Sequence, residues 1–324
     1  MMAQVFASLG TVVLSLILAP LLPGVINRVK AKVGGRRGRP LLQLYYDLAK
    51  LMRKSPVYAH CSSWFFKAAG PSGVAAGALA LLLVPFGALA PLMNFTGDFV
   101  LLAGLFSLAR FTLILAALDT GSAFEGMGAA REALFSGLAE PIFLFSLLIL
   151  GLQSPHFSLA SMLGSIDSGI WQANWSFYLM LCFALFLLLL PENCRIPVDD
   201  PNTHLELTMI HEVMILDHSG PDLALLEYAS ALKLWIFSLL IAGLLLPAVG
   251  WQIFSGQGSA HGAWGQEPLT ILVSVLLTLA IVLLVAVLIG LVESLMARLR
   301  MERVPQVLTL AGSFTCLAAL SLWR

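Results

Sequence analysis

A chain of 324 residues with 59% hydrophobic and only 11% charged residues, at a mean hydropathy of +0.91, is too apolar to be a water-soluble domain. Its 18 basic and 18 acidic residues cancel, and no nucleic-acid partner is expected. A membrane β-barrel would need alternating strands of about ten residues, which the sequence lacks, so the composition implies an all-α polytopic membrane protein forming one domain over 1–324.

Eight apolar runs are each long enough, at about 20 residues, to cross a hydrocarbon core of about 30 Å. They lie at roughly 3–23, 70–92, 99–118, 140–156, 175–191, 231–250, 269–291 and 305–322. The first has neither a basic start nor a small-residue cleavage site and is expected to remain as the first helix. Between the first and second runs, Val25 to Ala69 carries ten of the 18 basic residues. The connections at 94–98, 156–174 and 251–268 carry none. The positive-inside rule therefore predicts a cytoplasmic basic segment, both termini outside, and a cytoplasmic 192–229 loop.

Within the basic segment a Gly and Arg turn holding Arg36, Arg37 and Arg39 precedes Pro40. Leu41, Leu44, Tyr45, Leu48 and Leu51 then recur at helical spacing. A surface-lying amphipathic helix over about 40–54 is predicted, with Lys50, Arg53 and Lys54 at its end suiting the helix dipole and anionic headgroups. It serves either to anchor the chain or to bind a partner. Arg110, inside the third run, is the basic residue placed deepest by sequence and either snorkels or pairs within the bundle. The next connection contains Gly121, Gly126 and Gly128, then Arg131, Glu132 and Glu140, the last placed at the mouth of the fourth run just before Pro141. An ionisable group there is costly unless it faces helices or water, which makes Glu140 a functional candidate.

The stretch from Pro191 to Tyr228 holds eight acidic residues, Arg195, and the histidines 204, 211 and 218. Its ordered prolines and apolar residues such as Met209, Ile210, Val213 and Met214 predict a folded, partly embedded structure. The seven-residue histidine spacing invites a metal reading, but HExxH is absent, CxxC is absent among the four cysteines, and Gly220-Pro221 is expected to break a helix. Solvated or hydrogen-bonded histidines are expected instead, which could still titrate near neutral pH and serve a proton route. Clustered carboxylates where water is scarce should also take up protons near neutrality. The proton-handling candidates are Glu140, Glu192, Asp199, Glu206, Glu212 and Glu227, balanced by Arg131, Arg195 and Lys233. No cofactor or metal site of the chain's own is expected.

Glu192-Asn193-Cys194-Arg195-Ile196-Pro197, then Asp199, Leu205-Glu206-Leu207 and Glu227-Tyr228, resemble the E-x-x-R-x-P-x-D … E-L … E-Y loop of the H-subunit family of respiratory complex I, equivalent to mitochondrial subunit 1. Leu41-Leu42-Gln43, Asp47 and Lys50 resemble that family's segment after its first helix, and Arg131 and Glu140 its Arg and Glu at the fourth. The departures are specific. Leu22-Pro23-Gly24 stands where quinone-reducing members have a Glu and Arg-Lys, Val198-Asp199-Asp200 replaces F-D-L, and Asn202-Thr203-His204 replaces an acidic run. Glu212 fits the family's middle glutamate only with a shift of about two residues. With these departures, GGRRGRPLLQLYYDLAKL and RIPVDDPNTHLELTMIHEVM resemble the membrane subunit of group 4 nickel-iron hydrogenases of the formate hydrogenlyase and hydrogenase-4 type.

That resemblance implies a subunit with no catalytic centre, set in a bacterial or archaeal plasma membrane beside antiporter-like membrane subunits. It implies an iron-sulfur small subunit and a nickel-iron large subunit docked on the cytoplasmic side, with the 4Fe-4S clusters and the nickel-iron centre held in those partners. Arg36, Arg37, Arg39, Asp47, Lys50, Asp200, His204 and His211 become docking candidates. Two further readings are a quinone-site subunit, which predicts a chamber beneath the amphipathic helix, and a stand-alone secondary transporter, which predicts internal repeats that are not evident.

Overall fold

The computed structural model describes residues 2–199, 209–249, 268–297 and 299–322. Thirteen α-helices occur among them, and their only β pairing is an isolated bridge between Phe86 and Leu89. Seven helices are long and apolar enough to span a membrane: α4 (Trp64–Leu83), α5 (Asp98–Asp119), α6 (Ala123–Gly151), α9 (Trp175–Glu192), α11 (Gly220–Leu245), α12 (Pro268–Leu295) and α13 (Val304–Ser321). An eighth span is a bent pair, α1 (Met2–Leu18) and α2 (Leu21–Val33), which meet at 44°.

Proline explains the bend. Pro20 has no N–H, so the Leu16 carbonyl four residues earlier loses its helical donor. The Tyr228 hydroxyl donates to that carbonyl at 2.9 Å, and the Tyr45 hydroxyl donates to the neighbouring Ile17 carbonyl. The break is thereby sealed by side chains from α11 and from the amphipathic helix α3 (Gln43–Leu51).

Several spans differ from their expected extents. The second ends at Leu83, since Val84, which precedes Pro85, is extended. The fourth begins at Ala123, so Glu140 stands well inside α6 and not at its mouth. Gly126 and Gly128 do not stop this helix; Gly128 is where it meets the Ile210 carbonyl, which a Cβ would approach to 3.0 Å. The sixth begins at Gly220, so Gly220-Pro221 starts a helix where a break was expected. Gly220 has φ +58° and Pro221 takes the first-turn position that suits it. Glu227 is consequently helical.

Two short helices, α7 (Leu159–Gly164) and α8 (Ser168–Ala173), lie in the connection at 156–174. The buried Asp98 carboxylate accepts from the Leu159 N–H at 2.7 Å and secures α7 to the start of α5. The core of the bundle holds Phe106, Phe143 and Phe237, with Phe106 and Phe237 stacked at 5.4 Å. Gly70, Gly73 and Gly77 let α4 lie close on Leu225, Ala229 and Leu232 of α11, the small-residue packing usual between membrane helices.

Candidate functional site

Four spanning helices converge on Arg110, which is 6% exposed. Its Nε lies 3.0 Å from Glu132 Oε1, and its two terminal nitrogens contact Glu140 Oε1 and Glu192 Oε2. Lys233 Nζ reaches Glu192 Oε2 at 2.7 Å and lies over the Phe106 ring. Of the two fates open to Arg110, pairing inside the bundle is the one observed. Three carboxylates thus surround one guanidinium and one ammonium, where each charge depends on its neighbours for the solvation that lipid cannot give. Glu140 is the member nearest the surface, with 36% of its side chain exposed.

A small cavity of about 80 Å³ adjoins this cluster, lined by Arg110, Glu132, Glu192 and Lys233 and closed on the other side by Gly73, Gly77 and Phe106. A larger one, of about 590 Å³, lies beneath α3. Its titratable and charged groups come from four of the surrounding segments: Arg39 and Asp47 from the α3 region, Arg195 and Asp199 from the segment after α9, His211 and Glu212 from α10 (His211–Met214), and Glu227 from α11. Asn193, Cys194, His211 and Ser230 appear in the walls of both. These four residues form a shared wall between the acidic cavity and the cavity at the Arg110 cluster.

The Glu212 carboxyl is pushed up to about 7 by burial and by the facing Glu227 and Asp199. The histidines behave oppositely. Burial, then Lys233 and Arg195, push His211 down to about 4, and burial does the same to His218, opposed by Asp222 and Asp217. Titration near neutral pH belongs to Glu212 and not to these histidines, because burial holds both imidazoles neutral and the cations facing His211 add to that effect. Nor do the two share a helix face: α10 is one turn long, and His218 lies beyond it, stacked on Phe66 at 3.9 Å.

The other expected residues distribute as follows. Asp199 accepts from the N–H groups of Ile210 and His211 at 3.2 and 3.1 Å and organises the start of α10. Arg131 donates to the Met209 carbonyl at 3.0 Å, tying α6 to the same segment. Asp47 accepts from Gln43 at 2.9 Å on α3, while Arg36, Arg37 and Lys50 are exposed around it. Asp200, His204 and Glu206 lie outside the described residues. Among the described residues no group of three or more His, Cys, Asp or Glu is arranged to hold a metal ion. Sequence reasoning gave no role to Glu132, or to Glu293, which is buried on α12. A lone acid in an apolar run is the signal that would have found Glu293, as it found Glu140.

Comparison with known proteins places this geometry. The profile of the NADH dehydrogenase family matches residues 6–322. Hydrogenase-4 component C of Escherichia coli (strain K12) is 30% identical over 97% of this chain and 94% of its own length. Formate hydrogenlyase subunit 4 of the same organism is 27% identical over 94% of each chain. The H-type membrane component of NADH-quinone oxidoreductase from Burkholderia vietnamiensis is 26% identical over 70% of this chain and 66% of its own. A chain in the structure of the membrane-bound sulfane sulfur reductase, an archaeal respiratory membrane complex, shares the fold with a TM-score of 0.69 at 19% identity, covering 97% of this chain and 99% of its own. With its spanning helices gathered on Arg110 and its acidic cavity beneath α3, this chain belongs to the NADH dehydrogenase family, in the form that resembles the H-subunit of complex I.

Proposed function

We propose that this chain is the membrane-anchoring and coupling subunit of a multisubunit nickel-iron hydrogenase complex. The observation that carries the reading is that two hydrogenase-complex subunits align along 94% and 97% of the chain, whereas a quinone oxidoreductase component aligns over 70%. The basic segment and the 192–229 loop face the cytoplasm and dock the iron-sulfur and nickel-iron subunits, which hold the redox centres; antiporter-like membrane subunits adjoin the spans. The exposed Arg36, Arg37 and Lys50 around α3 support a docking role. The chain sits in a bacterial or archaeal plasma membrane with both termini outside.

This chain's own part in coupling is to take up charge and pass it inward. Glu212, poised near neutrality, exchanges a proton with the large cavity. The shared wall at Asn193, Cys194, His211 and Ser230 then relates that cavity to the carboxylates held around Arg110. Glu140, the outermost of them, is the exit toward neighbouring subunits. Coupling of this kind needs an element with two arrangements biased at both ends, for which the Arg110 cluster is the best candidate.

One observation favours a second reading: the 590 Å³ cavity lies beneath the amphipathic helix, where a quinone chamber was expected. Its charged lining suits water and protons better than a quinone ring. Purifying the chain under mild detergent from its native membrane decides between them. Stoichiometric nickel with hydrogen evolution from reduced viologen supports the hydrogenase complex. A nickel-free preparation that reduces quinone overturns it in favour of the quinone reading. Full ion translocation in reconstituted Glu140→Gln and Glu212→Gln complexes would sink the relay alone.

A further inference from the structure

Away from the Arg110 cluster, a second ionic junction joins α2 and α12 to the wall of the large cavity. Glu293, near the end of α12, has a side chain only 2% exposed. Its Oε2 lies 2.8 Å from Lys30 Nζ on α2. Its Oε1 has no hydrogen-bond partner and faces Arg195 at 3.8 Å, too far for a hydrogen bond. The backbone is tightly packed here. A Cβ at Gly290 would approach the Val29 side chain to 2.8 Å, and the Leu299 N–H donates to the Pro197 carbonyl at 2.9 Å.

Arg195 is the under-bonded partner in this arrangement. Its Nε is buried without a hydrogen bond, and its side chain lies in the wall of the large cavity with Asp47, Asp199, Glu212 and Glu227. It stands between Glu293 behind it and Glu227 before it, whose charge it feels. A largely enclosed guanidinium with an unfilled donor, held just short of one carboxylate and within electrostatic range of another, has two places to go.

We infer that Glu293 is a positioning residue for Arg195, sharing its carboxylate between Lys30 and Arg195 and thereby tying the charge of the cavity to the seam between α2 and α12. When the cavity acids are protonated, Arg195 closes on Glu293. When they ionise, Arg195 turns toward them, and the α12 end of the junction is left to Lys30 alone. The inference stands on the geometry of this chain and holds whichever redox partners it serves.

A charge swap separates this role from that of a strut. Lys30→Glu combined with Glu293→Lys keeps an ion pair between α2 and α12 and the net charge, but sets a like charge against Arg195. Arg195 is then driven into the cavity, where its positive charge favours ionised carboxylates. The readout is an infrared pH titration of the full chain purified in its complex, with Glu212→Gln as the subtraction reference. The Glu212 midpoint, near 7, should fall by about one pH unit in the swap and in Glu293→Gln, and return in Glu293→Asp. A structure of the swapped complex should show the Arg195 guanidinium turned from residue 293 toward Glu227. An unmoved midpoint in the swap overturns the inference and leaves Glu293 as a strut. Should the swap fail to accumulate, Glu293→Gln decides by the same titration, and an unmoved midpoint there overturns the inference.

Discussion

Arg110 shows how a single residue becomes committed by its surroundings. Its side chain is 5% exposed and paired with three carboxylates, so removing it strands them in a medium that cannot solvate them. Arg110→Ala should cost about 3–5 kcal/mol, the range for breaking a buried ion pair. The measurement is the thermal midpoint in detergent, where Glu140→Gln should be milder because that carboxylate is the least enclosed of the three. Glu212 makes a prediction about pH. Its folded pKa, about 7, lies above the ordinary 4.5, so the protein favours its protonated form; that stability is complete below about pH 4.5 and lost as pH rises through 7. Relative to wild type, Glu212→Gln should therefore become more stable across that window. His211 and His218 act in the opposite sense, since imidazoles lowered from 6.5 to about 4 contribute stability above pH 6.5 that is lost on acidification through 4. Comparing melting midpoints of wild type and Glu212→Gln from pH 5 to 8 isolates the glutamate. A difference that does not grow with pH would contradict the assignment.

At the scale of elements, the departure Leu22-Pro23-Gly24 acquires a physical meaning. A Cβ on Gly24 would stand 2.0 Å from the Leu41 carbonyl oxygen, a backbone atom that cannot yield without moving α3. Pro23 and Gly24 line the cavity, so this contact sets how closely the amphipathic helix roofs it. Gly24→Ala should destabilise by about 1–3 kcal/mol through overpacking. It should also speed proteolysis of the connection between α2 and α3, while Gly104→Ala, with nothing within 4 Å, should do neither. Composition and hydropathy made the existence of the spans legible because a 20-residue apolar run admits few other structures. Their ends were less legible. Ala123 to Ala139 is too polar to register as membrane-spanning, yet tertiary contact with the 209–215 segment holds it helical. Gly220-Pro221 reads equally as a stop or a start until the positive φ of Gly220 decides.

For the whole molecule, what sequence could not supply was the meeting of distant positions. Arg110 and Glu192 are 82 residues apart, and Tyr228 and Leu16 are 212 apart; no local pattern announces either pair. Glu140, Glu192 and Lys233 were recognisable one by one as costly charges near apolar runs, but the residue that unites them had two open fates. Topology, by contrast, follows from counting. If α1 and α2 form one bent span, the chain crosses eight times and its termini share a side. The 44° bend is sealed by two tyrosine hydroxyls and closely packed at Gly24, which favours one crossing over a re-entrant hairpin. Epitope tags at both ends should then be digested by protease added to spheroplasts. Cys61, exposed in the basic connection, should react with a membrane-impermeant maleimide only in inverted vesicles, and the signal should vanish in Cys61→Ser. Tags on opposite sides would mean an odd number of crossings and would remove α1–α2 as a single span. Tags together on the cytoplasmic side would keep the fold and reverse its orientation, setting the basic segment and the acidic cavity on the outer face, where the proposed redox partners could not dock.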